Sequence, residues 1–174
     1  ELLMSGPFPF SAGTAVASTP LPAGACDCHI HVYDGRIPSA AGATLHPPDA
    51  AIADYQCVQQ RMGMQRAVVV TPSTYGADNR PTLAGLAQLG TKGRGVAVIT
   101  GHESMDALRL LHAQGVRGVR INLSLGVLHQ IGDIDKVARR IEPLGWHVQL
   151  LMPLDQLSAL GRSLRLSHLG WRWP

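Results

Sequence analysis

Two histidines separated by a single residue carry the first chemical signal in this chain, in the run Cys26-Asp27-Cys28-His29-Ile30-His31-Val32-Tyr33-Asp34. The run reads as a β-strand, and side chains at i and i+2 of a strand point to one face, so His29 and His31 aim at the same place. Two converging imidazoles can hold a metal ion, or they can hold a polarised carbonyl between them. Four other positions carry chemistry of a compatible kind. Arg120 and Asn122 alternate with Val119 and Ile121, which sets the polar pair on the opposite face from the apolar pair, and an inward guanidinium suits a carboxylate through its planar fork. Ser73 and Tyr75 follow a second apolar strand and offer hydroxyls where loops of a parallel sheet carry binding groups.

These residues need strands to position them, and the chain supplies strands and helices in alternation. The sequence predicts strands at residues 28–33, 66–71, 96–100, 116–123 and 146–151. Between them it predicts helices at 50–58, capped by Asp49, then 81–89, 104–114, ended by Gly115, and 133–142, with a last helix at 155–160. Repeated βα units with right-handed crossovers imply an α/β fold with a parallel sheet. A doubly wound nucleotide fold requires a glycine-rich turn after its first strand, whereas Tyr33-Asp34-Gly35-Arg36 follows here. A (β/α)8 barrel instead draws its catalytic side chains from the carboxyl ends of several strands, where His29 and His31 lie. The expected architecture is therefore a TIM-type barrel of five to six βα units, incomplete at 174 residues against the roughly 250 of a whole barrel.

Composition bounds what else the chain does. Its net charge of +3 comes from scattered arginines, with no basic run and no aromatic interleaving, so nucleic acid is not an expected partner. No apolar run is long enough to span a bilayer. Cys26, Cys28 and Cys57 form no disulfide framework and lack the Cys-x-x-Cys spacing of structural zinc sites, so they read as reduced thiols. Residues 1–22, rich in Ala, Ser, Gly and Pro, read as a disordered leader or linker, or the remnant of an export signal, ahead of a barrel domain at 23–174. A cytoplasmic location is expected.

Four segments in order, Leu21-Pro22-Ala23-Gly24-Ala25-Cys26-Asp27-Cys28-His29-Ile30-His31, Pro72-Ser73-Thr74-Tyr75-Gly76-Ala77-Asp78-Asn79, Gly115-Val116-Arg117-Gly118-Val119-Arg120-Ile121-Asn122 and Gly145-Trp146-His147-Val148-Gln149, resemble the amidohydrolase superfamily. Within it the chain is similar to the TIM-barrel hydrolases that include 2-pyrone-4,6-dicarboxylate lactonase and D-galactarolactone isomerase. The resemblance covers residues 21–157. It implies that His29 and His31 line the active site and that a further histidine, His168, joins them from a sixth strand, with Ser167 where the family has an aspartate. It also implies an aspartate base at the end of an eighth strand, for which a chain ending at Pro174 has no counterpart.

The resemblance thus implies hydrolysis of a small carboxylated lactone, with His29, His31 and His168 polarising the carbonyl and Arg120, Asn122, Ser73 and Tyr75 binding the substrate. Isomerisation of a sugar-acid lactone is the alternative. Metal-binding members of the superfamily take further ligands from the fourth and fifth strands, where this chain has Arg120, Asn122 and Leu150-Leu151-Met152. No cofactor is therefore expected, the alternative being one Zn2+ or other divalent ion on His29 and His31. An inactive partial barrel, with open edges that invite pairing to another chain, is the expectation of a different class.

Overall fold

The central strands form because their β-branched runs have a place to be buried on both faces. In the computed structural model, which describes residues 15–124, 128–156 and 160, Arg66–Val70 (β2) lies second in a five-stranded sheet. The other strands are Cys26–Ile30 (β1), Gly93–Ala97 (β3), Val116–Asn122 (β4) and His147–Leu151 (β5). All pair in parallel, in the order β1-β2-β3-β4-β5. The sheet curls into half a barrel, in keeping with the incomplete TIM barrel that the alternation implies.

The helices Ile52–Met62 (α1), Arg80–Leu89 (α2), Met105–Ala113 (α3) and Asp133–Ile141 (α4) alternate with the strands. Their apolar stripes and the outward strand residues make one core that includes Val69, Leu86, Ile99, Leu108, Val119, Ile121 and Val137. Helix α4 shows the patterning plainly. Ile134, Val137 and Ile141 are buried, while Asp135 and Arg139 pair at 2.8 Å on the outer face. Ser104 caps α3 by accepting from Ala107 N at 3.1 Å. No helix among the described residues is long and apolar enough to cross a membrane.

Three elements differ from the sequence expectation by more than a residue. Strand β1 runs from Cys26 to Ile30, with a register irregularity between Asp27 and Ile30, so His31 sits just past its end. Tyr33 and Ala50 form an antiparallel bridge, which holds residue 50 extended and delays α1 to Ile52. Asp49 is consequently not the cap: its carboxylate accepts from Gly35 N at 2.6 Å, and Asp54 accepts from Ala51 N at 3.0 Å instead. Strand β3 begins at Gly93 and its ladder ends at Ala97 rather than reaching residue 100. Beyond that point the side chain of Asn79 takes over, donating to Val98 O at 2.8 Å and accepting from Val98 N at 2.9 Å. The last expected helix, at 155–160, lies partly outside the described residues.

Candidate active site

Strand alternation carries the site. Val119 and Ile121 of β4 are fully buried in the core beneath the helices, so Arg120 and Asn122 face the barrel interior. Asn122 donates to Ser73 Oγ at 2.7 Å, and Arg120 reaches back to the Thr71 carbonyl at 3.4 Å. Arg120 is only 8% exposed, and burial pulls its pKa below the ordinary arginine value. It stays a cation nonetheless. Among the described residues no carboxylate pairs with it.

His29 and His31 share the same interior, with ring centroids 4.9 Å apart and planes at 82°. The Nδ1 of His31 lies 2.8 Å from the Val70 carbonyl oxygen. A carbonyl can only accept, so His31 carries its proton on Nδ1 and leaves the Nε2 lone pair open. His29 is more open to solvent, and its Nδ1 meets the side-chain nitrogen of Gln149 at 3.2 Å. Both imidazoles have lowered pKa values, first through burial, with the positive charge of Arg120 acting in the same direction. They are neutral bases at pH 7.

Beside Arg120 a cleft of about 240 Å³ is walled by Ser73, Asn122 and His129, with Val98, Leu128 and small residues of segments 40–43 and 76–77 completing it. His129 was not legible as a site residue, because it lies in the loop after β4 with no partner near it in the sequence. It is 3% exposed, and its Nε2 donates to the Ile99 carbonyl at 2.6 Å, leaving Nδ1 as an acceptor. Tyr75 is placed differently from Ser73. Its hydroxyl accepts from Asp34 N at 2.8 Å and donates to Asp34 O at 3.1 Å, which pins the turn after β1 to the turn after β2. His147 starts β5 at the far end, with its ring packed over Gly118. His102 accepts from Lys136 Nζ at 3.2 Å on the surface. His168 lies outside the described residues.

An arginine that no carboxylate pairs among the described residues thus lies near two imidazoles at one end of a curled parallel sheet. The amidohydrolase family model matches residues 26–169. The chain belongs to the amidohydrolase family. Its relatives include the 2-pyrone-4,6-dicarboxylate hydrolase of Comamonas testosteroni, 34% identical over 161 residues, 86% of this chain and 53% of that protein. The D-galactarolactone isomerase of Agrobacterium fabrum is 28% identical over 164 residues, 93% of this chain and 55% of the isomerase. A crystal structure of a probable 2-pyrone-4,6-dicarboxylic acid hydrolase from Acinetobacter baumannii, with citric acid bound, superposes with a TM-score of 0.75 at 29% identity. It matches 82% of this chain and 54% of its own length. The chain thus spans about half the length of the relatives it matches.

Members of this superfamily are often metal-dependent. The described residues do not fit a metal ion. No cluster of three or more His, Cys, Asp or Glu side chains is close enough to hold one, and the neighbour of the two imidazoles is a cation. The field of Arg120 that disfavours a proton on either ring disfavours a metal ion there for the same reason.

Proposed function

We propose that this amidohydrolase acts on a small carboxylated lactone by carbonyl polarisation and water attack. The buried guanidinium of Arg120 carries the proposal, since a buried charge that no carboxylate pairs among the described residues is costly unless a ligand supplies the counter-charge. A substrate carboxylate meets Arg120 through two parallel N–H donors, while Asn122, Ser73 and His129 bond the remaining polar groups. That places the ester carbonyl toward His29 and His31, with His168 as a third group from the family motif.

Water adds to the carbonyl carbon and charge develops on the oxygen, where hydrogen-bond donors fixed in place lower the barrier. Collapse breaks the ring C–O bond, the departing oxygen takes a proton, and the product is an open-chain hydroxy acid. The relatives support this reading, since one is a 2-pyrone-4,6-dicarboxylate hydrolase and a structural neighbour has citric acid, a tricarboxylate, bound. Isomerisation is a second reading, favoured by the three groups beside Arg120 that suit sugar hydroxyls, and by the galactarolactone isomerase among the relatives. There the attacking oxygen is a hydroxyl of the substrate itself. No metal takes part in either scheme.

The test is a panel of lactones with and without a carboxylate, assayed in the presence and absence of a chelator, with products separated as hydroxy acids or rearranged lactones. Turnover confined to carboxylated lactones, indifferent to chelator and lost in Arg120→Met, is the expected result. Equal turnover of uncharged lactones removes the basis of the proposal.

A further inference from the structure

Gln149 of β5 and His29 of β1 sit on the two edge strands of the sheet, which pair with no common neighbour, yet their side chains meet at 3.2 Å across the curled interior. A primary amide nitrogen can only donate, so Nδ1 of His29 accepts and the ring proton lies on Nε2. His31 is held the other way. Its Nδ1 donates to the Val70 carbonyl at 2.8 Å, so its Nε2 carries a lone pair. Two neutral rings 4.9 Å apart are thereby fixed in opposite tautomers.

The orientation of the amide follows from what surrounds it. The Oε1 of Gln149 is buried and has no hydrogen-bond partner among the described residues. Turning the amide over would bury an NH2 group there instead, and orphaned N–H donors are rarer in proteins than under-satisfied carbonyls. Gln149 is also the strand-pairing partner of Arg120, whose positive charge favours a carbonyl oxygen on its side over amide hydrogens.

We propose that Gln149 is a positioning residue that fixes His29 as the Nε2–H tautomer, so that the histidine pair presents one donor and one acceptor rather than two alike. The donor faces the lactone oxygen as it gains charge, and the acceptor on His31 receives a hydrogen bond from the attacking water or substrate hydroxyl. A reversed amide would free both Nε2 lone pairs, an arrangement that repels a carbonyl oxygen and suits a cation. The side chain of Gln149 therefore selects which of the two chemistries open to a His-x-His pair this chain uses. This assignment rests on the proposed carbonyl chemistry, but its readout does not require turnover.

The measurement is long-range 1H–15N correlation NMR of the full chain with 15N-labelled histidine, at neutral pH and without ligand. The wild type should show His29 protonated on Nε2 and His31 on Nδ1. In Gln149→Leu, His29 should become a mixture of tautomers while His31 stays unchanged. In Gln149→Glu, whose carboxylate only accepts, His29 should switch to Nδ1–H. Loss of a hydrogen-bonding partner of this kind should lower lactone turnover on the order of 10- to 100-fold. A wild-type His29 protonated on Nδ1, or a His29 signal indifferent to Gln149→Leu, overturns the assignment. The His31 tautomer reports in every sample whether the strand ends are folded, and the wild-type spectrum decides even if a variant does not fold. Opposite tautomers in a chain that turns over no lactone would sustain the role of Gln149 in setting His29 and sink the proposed activity alone.

Discussion

The amide of Asn122 donates to the hydroxyl of Ser73 at 2.7 Å, joining the end of β4 to the turn after β2 across the intervening β3. Ser73 is thereby an acceptor toward the protein, and its own proton is left to point into the cleft beside Arg120. The two residues are 49 positions apart, and the amide is held on its other side as well, where its Oδ1 accepts from Ser124 N at 3.0 Å.

Asn122→Ala should therefore weaken binding of a carboxylated lactone by about three- to tenfold, the span of one net hydrogen bond of about 0.5–1.5 kcal/mol. Ser73→Ala should do the same, and the double variant should be little worse than either single one, because the pair acts as a unit. Isothermal titration with substrate or product reads all three. Fully additive losses would mean that the two groups bind independently.

Arg120→Gln tests the electrostatics directly. Removing the cation should raise the pKa of both His29 and His31, since its charge lowers each of them alongside burial. NMR titration of the two rings measures it. The stability consequence has a definite sign. With native pKa values below the ordinary value of about 6.5, the unfolded chain binds more protons in that window, so the contribution of these rings is complete above about pH 6.5 and is lost as pH falls toward the native values. The Arg120→Gln variant should lose less stability than the wild type between pH 7 and pH 5 in denaturant melts. An equal or larger loss would show that Arg120 does not govern the two rings.

Much of this site was legible before any coordinates, and the reason is periodicity. The His-x-His spacing and the Arg120, Asn122 alternation each depend only on which face of a strand a residue takes, and strand period is independent of how the sheet curls. What depends on curl was hidden. Gln149 reaches His29 only because the first and fifth strands approach each other across the interior, and His129 enters the cleft from a loop that carries no period. The sequence predicts the third strand only from residue 96, yet Gly93 and Gly95 lie within β3, where the absence of a side chain lets Leu86 and Leu89 of α2 close onto the sheet.

That close approach makes a stability prediction. A Cβ on Gly95 would sit 2.6 Å from Leu86 Cδ1 and 3.3 Å from Val116 Cγ2, in a core where Leu86 is 3% exposed. Gly95→Ala should cost about 1–3 kcal/mol as α2 is pushed outward. At about 2–4 °C per kcal/mol for a chain of this size, thermal melts resolve it. Pairing it with Leu86→Ala should recover part of the loss, as one added methyl fills some of the space that is vacated. A double variant worse than the sum of both singles would contradict the packing.

Asn79 sets the last test, because it acts as a strand where β3 stops. Its side chain accepts from Val98 N and donates to Val98 O, the pattern of a neighbouring backbone, and it also accepts from the buried hydroxyl of Thr71 at 2.8 Å. Thr71 in turn meets Thr82 at 2.8 Å. The network locks the carboxyl ends of β2 and β3, the same ends that present Ser73 and the cleft wall at Val98. Asn79→Leu keeps the volume and removes every bond made by the Asn79 side chain, stranding the N–H and C=O of Val98, whose desolvation costs about 1–3 kcal/mol each. Because Asn79 touches no substrate in the proposed pose, its loss should lower stability by several kcal/mol and raise KM for a carboxylated lactone through displacement of Ser73, with a smaller effect on kcat. Hydrogen exchange at Val98 should accelerate in parallel. If that amide stays protected in Asn79→Leu, a backbone partner rather than the Asn79 side chain is holding the end of β3.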